Sequence, residues 1–272
     1  RSSPGQVYLV HADAGGYVAD RGWTPQSSSR VEPVATAVET CAPESNEGDR
    51  YSRAVTWQTI AEHTDAVCSQ LDPIARELSS HAVDALMRAA RWHDRGKAHE
   101  IFVKALPDGR SMQGNHWAKA PGGWKRYERR HFRHELASAL AVLDPTNKEI
   151  PDDLRDLVAY LVAAHHGKVR LSIRSLPNES RPSGNRRFAR GVWEGDVLPE
   201  TDLGGGIIAP VVKLSLEPME VGLCEEGPFR DQPSWAERMI RLRDRLGPFR
   251  LAYLEALLRA ADWRASQPED HP

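Results

Sequence analysis

Residues 79–104 constrain the fold more than any other stretch of the sequence. Apolar residues recur there at the spacing of one buried helix face, at Val83, Leu86, Met87 and Ala90. The same repeat, continued, reaches His93 and Asp94. Titratable groups on a core-facing stripe are costly to bury unless they are hydrogen-bonded, paired or bound to a metal. The pair therefore indicates either a core histidine clamped by a carboxylate or part of a metal site.

Composition predicts a soluble globular protein. The 272 residues are 40% hydrophobic and 27% charged, and no apolar run approaches the roughly 18 residues that span a membrane. Three dispersed cysteines without a CxxC pair argue against a disulfide framework or a zinc ribbon and favour a reducing cytoplasm. The net charge of −2 does not indicate a nucleic-acid binder, so such a role would depend on local clusters.

Residues 1–50 differ in character from the rest of the chain. They hold one strand-like run, residues 6–11 (QVYLVH), followed by Gly-rich turns and a long polar stretch. We interpret this segment as the tail of an upstream domain plus a linker, with the main domain over residues 51–272. The first residue is Arg and no signal-peptide pattern follows, which favours a fragment or a processed form.

Four further predicted helices carry a metal-ligand residue type on the apolar face. His63 lies on the stripe of a helix predicted over residues 56–71, and His134 precedes the next apolar repeat. His165 and His166 end a helix that Gly167 stops. Asp262 falls on the core-facing stripe of the last helix. Between these helices, residues 107–123 are predicted to be a loop, and residues 169–223 to contain short strands such as VRLSI, FARGVW and IIAPVVKLSL.

Five helices thus present histidine or aspartate where the pattern requires apolar residues: His63, His93 with Asp94, His134, His165 with His166, and Asp262. Separate core arrangements would need five unrelated local solutions, whereas one metal centre satisfies all of them. Imidazole and carboxylate ligands without thiolate suit Fe, Mn, Co, Ni or Zn, and seven ligands exceed the needs of one ion. We predict two divalent transition-metal ions that share Asp94.

In this order the residues resemble the H…HD…H…HH…D pattern of the HD superfamily of metal-dependent phosphohydrolases. The flanking motifs HDRGK, RHE, HHGK and RAADW resemble the HD nuclease domain of the CRISPR-associated type I interference helicase-nuclease. The motif VWEGD and the opening VYLVHADAGGY resemble variants, type I-G (formerly I-U), in which the HD domain follows the helicase. With the helical pattern, this implies a mainly α fold, an HD-domain helical bundle around a dinuclear metal site, with a small β insertion at about residues 169–225.

The resemblance also implies the roles of the site residues. One ion would be held by His63, His93, Asp94 and Asp262, and the other by Asp94, His134, His165 and His166. The two ions would then catalyse hydrolysis of phosphodiester bonds by a two-metal mechanism, and Lys97 would neutralise charge on the phosphate oxygens. The alternative for Lys97 is a solvated side chain after a glycine turn. The implied activity is that of a metal-dependent nuclease, with endonuclease activity, that cuts single-stranded DNA. It would act in the cytoplasm in antiviral interference, together with a type I CRISPR guide-RNA surveillance complex.

A basic segment follows the last two histidines. Residues 168–190 hold seven basic residues against one acid, and a second basic cluster precedes His134. We predict that the segment contacts a nucleic-acid backbone through Lys168, Arg170, Arg174, Arg186, Arg187 and Arg190. A solvated basic loop is the alternative. Three aromatic residues between the histidine motifs are candidates either for base stacking or for core packing: Trp117, Trp124 and Tyr127.

Two other functions remain open. An HD-type phosphohydrolase of small nucleotides would use the same ligands in a closed pocket, and a non-catalytic module would bind DNA or an effector complex with structural metals. The basic segment favours the nuclease, since a mononucleotide needs few phosphate contacts. The sequence lacks a G-x-x-x-x-G-K-[ST] loop. ATP and Mg²⁺ would therefore serve only a helicase portion, fused upstream or separate.

Overall fold

In the computed structural model, the described residues are 14–18, 20–28, 53–54, 56–107, 115–122, 124–176, 178–224 and 227–267. The chain divides into one unit over Arg1–Glu44 and a second over Ser45–Pro272. In the first unit, β1 (Gly16–Val18) and β2 (Gly22–Thr24) form an antiparallel hairpin. The strand predicted over residues 6–11 lies outside the described residues.

The described part of the second unit is mainly helical, as predicted. Its α-helices are α1 (Ile60–Ala75), α2 (Ser80–Trp92), α3 (Glu100–Ala105), α4 (His134–Leu143), α5 (Asp152–Ala164), α6 (Trp235–Leu246) and α7 (Pro248–Ala265). A small sheet packs beside α1, and its central strand β5 (Trp117–Pro121) pairs in parallel with β3 (Arg53–Ala54) and antiparallel with β4 (Gln58–Thr59).

The predicted β insertion is present as three antiparallel strand pairs. Its strands are β6 (Phe188–Ala189), β7 (Val192–Trp193), β8 (Val197–Leu198), β9 (Thr201–Asp202), β10 (Ile208–Ala209) and β11 (Val212–Lys213). β6 pairs with β7, β8 with β11, and β9 with β10. The strand predicted over residues 169–173 is wrong. Val169 and Ile173 are buried and the three residues between them are exposed, so the segment is anchored to the core without joining a ladder.

The centre of the core is α4, which is buried along its whole length. It packs against α5, while α1 packs against α2 and α7, and α2 also contacts α5. Three small residues of α4, Ala137, Ala139 and Ala141, are buried in this packing. None of the described helices is both long enough and apolar enough to cross a membrane.

Three predicted boundaries are corrected by the structure. The helix predicted from residue 56 begins at Ile60, because Gln58 and Thr59 pair with β5 and Thr59 then forms a capping box with Glu62. The loop predicted over residues 107–123 contains β5. The helix stripe predicted to reach Asp94 ends at Trp92, where a 3₁₀ turn (Arg95–Ala98) and then α3 replace it.

Candidate metal centre

The seven predicted ligands converge in the core of the helical bundle. Their ligand atoms form three overlapping groups within which all atoms lie within 4.8 Å of one another: His63 with His93 and Asp262, His93 with Asp94 and His165, and His134 with His165 and His166. Six of the seven side chains are buried, and His166 is partly exposed. Residues up to 199 positions apart in sequence therefore meet in one site.

The expectation that helices supply every ligand is wrong in detail. Only His63, His134 and Asp262 lie within helices, and His134 is the first residue of α4. The other four lie where helices end. His93 and His165 are the C-caps of α2 and α5, and Asp94 and His166 are the residues that follow them. Consecutive helical side chains diverge by about 100°. Leaving the helix lets each adjacent pair point to the same centre.

Two ligand clusters can be distinguished, one of His63, His93 and Asp262 and the other of His134, His165 and His166, and Asp94 lies between them. Its Oδ1 is 3.3 Å from His134 Nε2. Its Oδ2 is 3.6 Å from His63 Nε2 and 3.5 Å from His93 Nε2. One carboxylate oxygen therefore faces each cluster, which is the arrangement that a shared ligand of two cations requires.

Backbone carbonyls fix two of the imidazole rings. His93 Nδ1 donates to Ala90 O at 2.7 Å, and His165 Nδ1 donates to Val162 O at 2.6 Å. A carbonyl only accepts, so the proton lies on Nδ1 and the lone pair on Nε2. Both Nε2 atoms are buried with no hydrogen-bond partner among the described residues. Orphaned lone pairs of this kind are typical of histidines prepared for a metal.

Burial sets the charge states of the site. It lowers the pKa of His63 to about 4 and that of His165 to about 3, so both rings are neutral at pH 7 and can act as metal ligands. Burial alone would raise the pKa of Asp94, but His93 and Lys97 hold it well below its usual range. Neutral imidazoles with ionised carboxylates fit divalent transition metals.

A buried lysine accompanies each of the two buried aspartates. Lys97 Nζ lies 2.8 Å from Asp94 Oδ2 and donates to Ala118 O, and the side chain is 2% exposed. The solvated alternative for Lys97 is therefore wrong. Lys119 Nζ lies 4.0 Å from Asp262 Oδ1 and donates to Ser266 Oγ at 2.8 Å. Sequence reasoning missed Lys119, because no spacing rule connects a short strand with the end of α7.

Gly96 lets Asp94 and His134 approach each other. A Cβ at Gly96 would lie 2.1 Å from the carbonyl oxygen of His134, so only glycine fits there. Gly96 N also donates to Ser138 Oγ at 2.7 Å. The 3₁₀ turn after Asp94 is thus held against the first turn of α4, and Ser138 is a second site residue that the sequence pattern did not reveal.

Two of the six predicted nucleic-acid contacts, Arg170 and Arg187, bind carboxylates, and four of the six, Arg170 among them, are exposed. Arg170 binds Glu255 through two hydrogen bonds, at 3.0 and 2.5 Å, and Arg187 pairs with Glu220 at 2.5 Å. Lys168, Arg174 and Arg186 are exposed, and Arg190 is half-buried. Arg186 also lies over the Trp193 ring at 5.5 Å.

The three candidate stacking residues are partly buried against the core. Trp117 packs edge-on against Trp57, with ring centroids 5.1 Å apart. Trp124 packs against Phe102 at 5.3 Å, and Tyr127 packs against Phe132 at 5.4 Å. These contacts favour the packing alternative for all three.

A family model described as "Cas3, HD domain" matches residues 52–270, which is most of the chain. No curated protein and no solved structure matches the chain. The match confirms the family resemblance predicted from the histidine and aspartate motifs, and it agrees with the helical fold around them.

Proposed function

The chain belongs to the family of Cas3 HD domains, and from this premise we propose that it is a nuclease that hydrolyses phosphodiester bonds of single-stranded DNA. Membership of this family places the chain among the metal-dependent HD hydrolases of CRISPR systems. The observation that carries phosphodiester hydrolysis is the position of Asp94, with one carboxylate oxygen towards each ligand cluster, and the exposed basic residues after His166 support DNA as the substrate.

We assign the ligands to two cations. His63, His93 and Asp262 would hold one, and His134, His165 and His166 would hold the other, with Asp94 between them. Bound divalent ions, with Mn, Fe, Co and Ni as the candidates, would supply Lewis acidity and a nucleophile at neutral pH. The chain contributes imidazole rings held in place by Ala90 O and Val162 O, and a carboxylate kept ionised between the clusters.

We assign Lys97 to Asp94 rather than to the phosphate. Its ammonium group is directed at Asp94 Oδ2, and its side chain is almost completely buried. Lys97 is therefore proposed as a positioning residue that holds the shared carboxylate in its ionised form.

We propose that the DNA backbone is bound by exposed basic side chains of the segment after His166, namely Lys168, Arg174 and Arg186, together with the half-buried Arg190. Arg170 and Arg187 bind Glu255 and Glu220, so a phosphate would compete with these carboxylates for the two guanidinium groups. The proposed partners are a helicase, fused upstream or separate, and a type I guide-RNA surveillance complex in the cytoplasm. Residues 1–50 would then be the tail of an upstream domain plus a linker.

One observation favours the second candidate, a phosphohydrolase of small nucleotides. The centre is nearly closed, with His134 at 7% and Asp262 at 9% exposure as the most exposed of its six buried ligands. A closed site suits a small substrate better than a polymer. The exposed basic side chains beyond His166 favour a polynucleotide substrate.

The test is metal-dependent turnover of the purified chain. Bound metal is first removed from the protein with a chelator. The protein is then reloaded with Mn²⁺, Co²⁺, Ni²⁺ or Mg²⁺ and incubated with circular single-stranded DNA or with a panel of nucleotides. We expect the circle to be cut only with metal, and not by Asp94→Ala. Asp72→Ala, at an exposed position on α1, is the matched control and should retain activity. Nucleotide hydrolysis with an intact circle would instead establish the small-nucleotide enzyme.

A further inference from the structure

Glu135 is a buried carboxylate beside the metal centre but outside the ligand set. It is the second residue of α4, its side chain is 0% exposed, and neither carboxylate oxygen makes a hydrogen bond to a described residue. An ionised carboxylate taken out of water costs several kcal/mol unless a cation or donors compensate it. Such a group has no packing advantage over an apolar residue, which points to a role in the site.

The groups nearest to Glu135 are basic. Its Oε2 lies 3.6 Å from His134 Nδ1, and its Oε1 lies 3.9 Å from Arg133 Nε. The other ring nitrogen of His134, Nε2, is the one that faces Asp94 Oδ1 at 3.3 Å. Glu135 and the shared carboxylate therefore lie at opposite nitrogens of the same imidazole.

The other two fixed histidines explain why His134 needs a carboxylate. His93 and His165 each donate Nδ1–H to the carbonyl three residues earlier, within the last turn of the helix that they end. His134 begins α4, so no earlier turn of that helix offers a carbonyl to its ring. Glu135 Oε2 lies on the Nδ1 side of the His134 ring, 3.6 Å from Nδ1 and just beyond hydrogen-bonding distance.

We propose that Glu135 is a positioning residue that accepts a hydrogen bond from His134 Nδ1–H when the cation is bound, and thereby directs Nε2 towards the cation held with His165 and His166. The inference rests on the proposed metal centre. A carboxylate at this place also makes the imidazole a stronger ligand. The effect matters more in this cluster, which has three histidines and no carboxylate besides Asp94, than in the cluster of His63 and His93, where Asp262 already supplies a charge.

The experiment counts bound Mn²⁺ and Co²⁺ by equilibrium dialysis of the full chain, in the wild type and in Glu135→Gln. We expect one ion to bind about 10- to 100-fold more weakly in the variant, as is typical when a partner of a ligating histidine is lost, while the other ion is unaffected. The Co²⁺ absorption bands of one site should change as well. Glu77→Gln, at an exposed position, is the matched control and should bind both ions normally.

A double-mutant cycle with His134→Gln separates positioning from a general loss of structure. In the His134→Gln background, Glu135→Gln should cause no further loss of metal affinity. Two ions bound normally by Glu135→Gln, or an equal loss in both backgrounds, would overturn the inference. A wild-type chain that binds two ions but cuts no DNA would overturn the nuclease and leave the role of Glu135 intact.

Discussion

At the scale of single residues, each buried carboxylate of the metal centre has a lysine ammonium close to it. Lys97 lies 2.8 Å from Asp94, and Lys119 lies 4.0 Å from Asp262. Without cations, these ammonium groups and hydrogen bonds from the neighbouring imidazoles stabilise the two ionised carboxylates. With cations bound, the carboxylates acquire a second source of positive charge. The lysines should therefore matter most to the metal-free protein.

This argument predicts the effect of Lys97→Met. Removing one member of a buried ion pair typically costs about 3–5 kcal/mol, because the remaining charge is left unpaired. We expect a loss of this size in the metal-free protein and a smaller loss with Mn²⁺ bound, measured by urea unfolding with chelator and with metal. Lys104→Met, which removes an exposed lysine paired with Glu128, is the control and should change stability little. An equal loss with and without metal would contradict the prediction.

The basic segment gives a second prediction at this scale. Lys168, Arg174 and Arg186 are exposed, and replacing all three with alanine should weaken binding of single-stranded DNA. Because each neutralised phosphate adds about 0.7 to the salt dependence on single strands, the slope of log K against log[salt] should fall by about 2. Arg241→Ala, an exposed arginine on α6 paired with Glu237, is the control. An unchanged slope would place the DNA elsewhere.

At the scale of elements, the turn between β6 and β7 fixes the insertion to the entry of α4. Arg190 and Gly191 both have positive φ, 52° and 73°, as a two-residue hairpin turn requires. Arg133 N donates to Arg190 O at 2.9 Å, and a Cβ at Gly191 would lie 2.5 Å from Phe132 Cα. The insertion therefore packs directly against the residues that lead into His134.

This contact predicts different outcomes at two glycines with similar backbones. Gly184 has φ of 72° but open space around it, so Gly184→Ala should cost only the roughly 1–2 kcal/mol of the left-handed conformation. Gly191→Ala adds a clash with the backbone of Phe132, and we expect it to cost at least about 1 kcal/mol more and to weaken metal binding at His134. Urea unfolding and metal titration of both variants check this. Equal costs would show that the insertion can move away from α4.

Local periodicity predicted the elements and most of the site. Because a histidine or aspartate on an apolar stripe must face the core, the pattern alone placed His63, His134 and Asp262 correctly on their helices. It failed at helix ends, where α2 stops before His93, and for the strand predicted at residues 169–173. Lys119 and Ser138 were not predictable. Their partners, Ser266 and Gly96, lie far away in sequence, and no local pattern encodes such contacts.

At the scale of the whole molecule, the buried histidines make folding dependent on pH. Burial lowers the pKa of His63 to about 4 and that of His165 to about 3, whereas an unfolded histidine has a pKa of about 6.5. Between these values the unfolded chain binds more protons than the folded chain, so stability falls as pH falls. The contribution is fully present above about pH 6.5 and declines towards pH 4 and below.

The prediction is that the metal-free protein loses several kcal/mol of unfolding free energy between pH 7 and pH 4.5. Urea unfolding at intervals across this range, in chelator, measures the slope. His63→Gln removes one of the titrating groups and should reduce the slope by up to about 1.4 kcal/mol per pH unit. Mn²⁺ should shift the loss to lower pH, because bound metal competes with protons for the same nitrogens. A slope insensitive to both His63→Gln and Mn²⁺ would show that the acid sensitivity arises outside the metal centre.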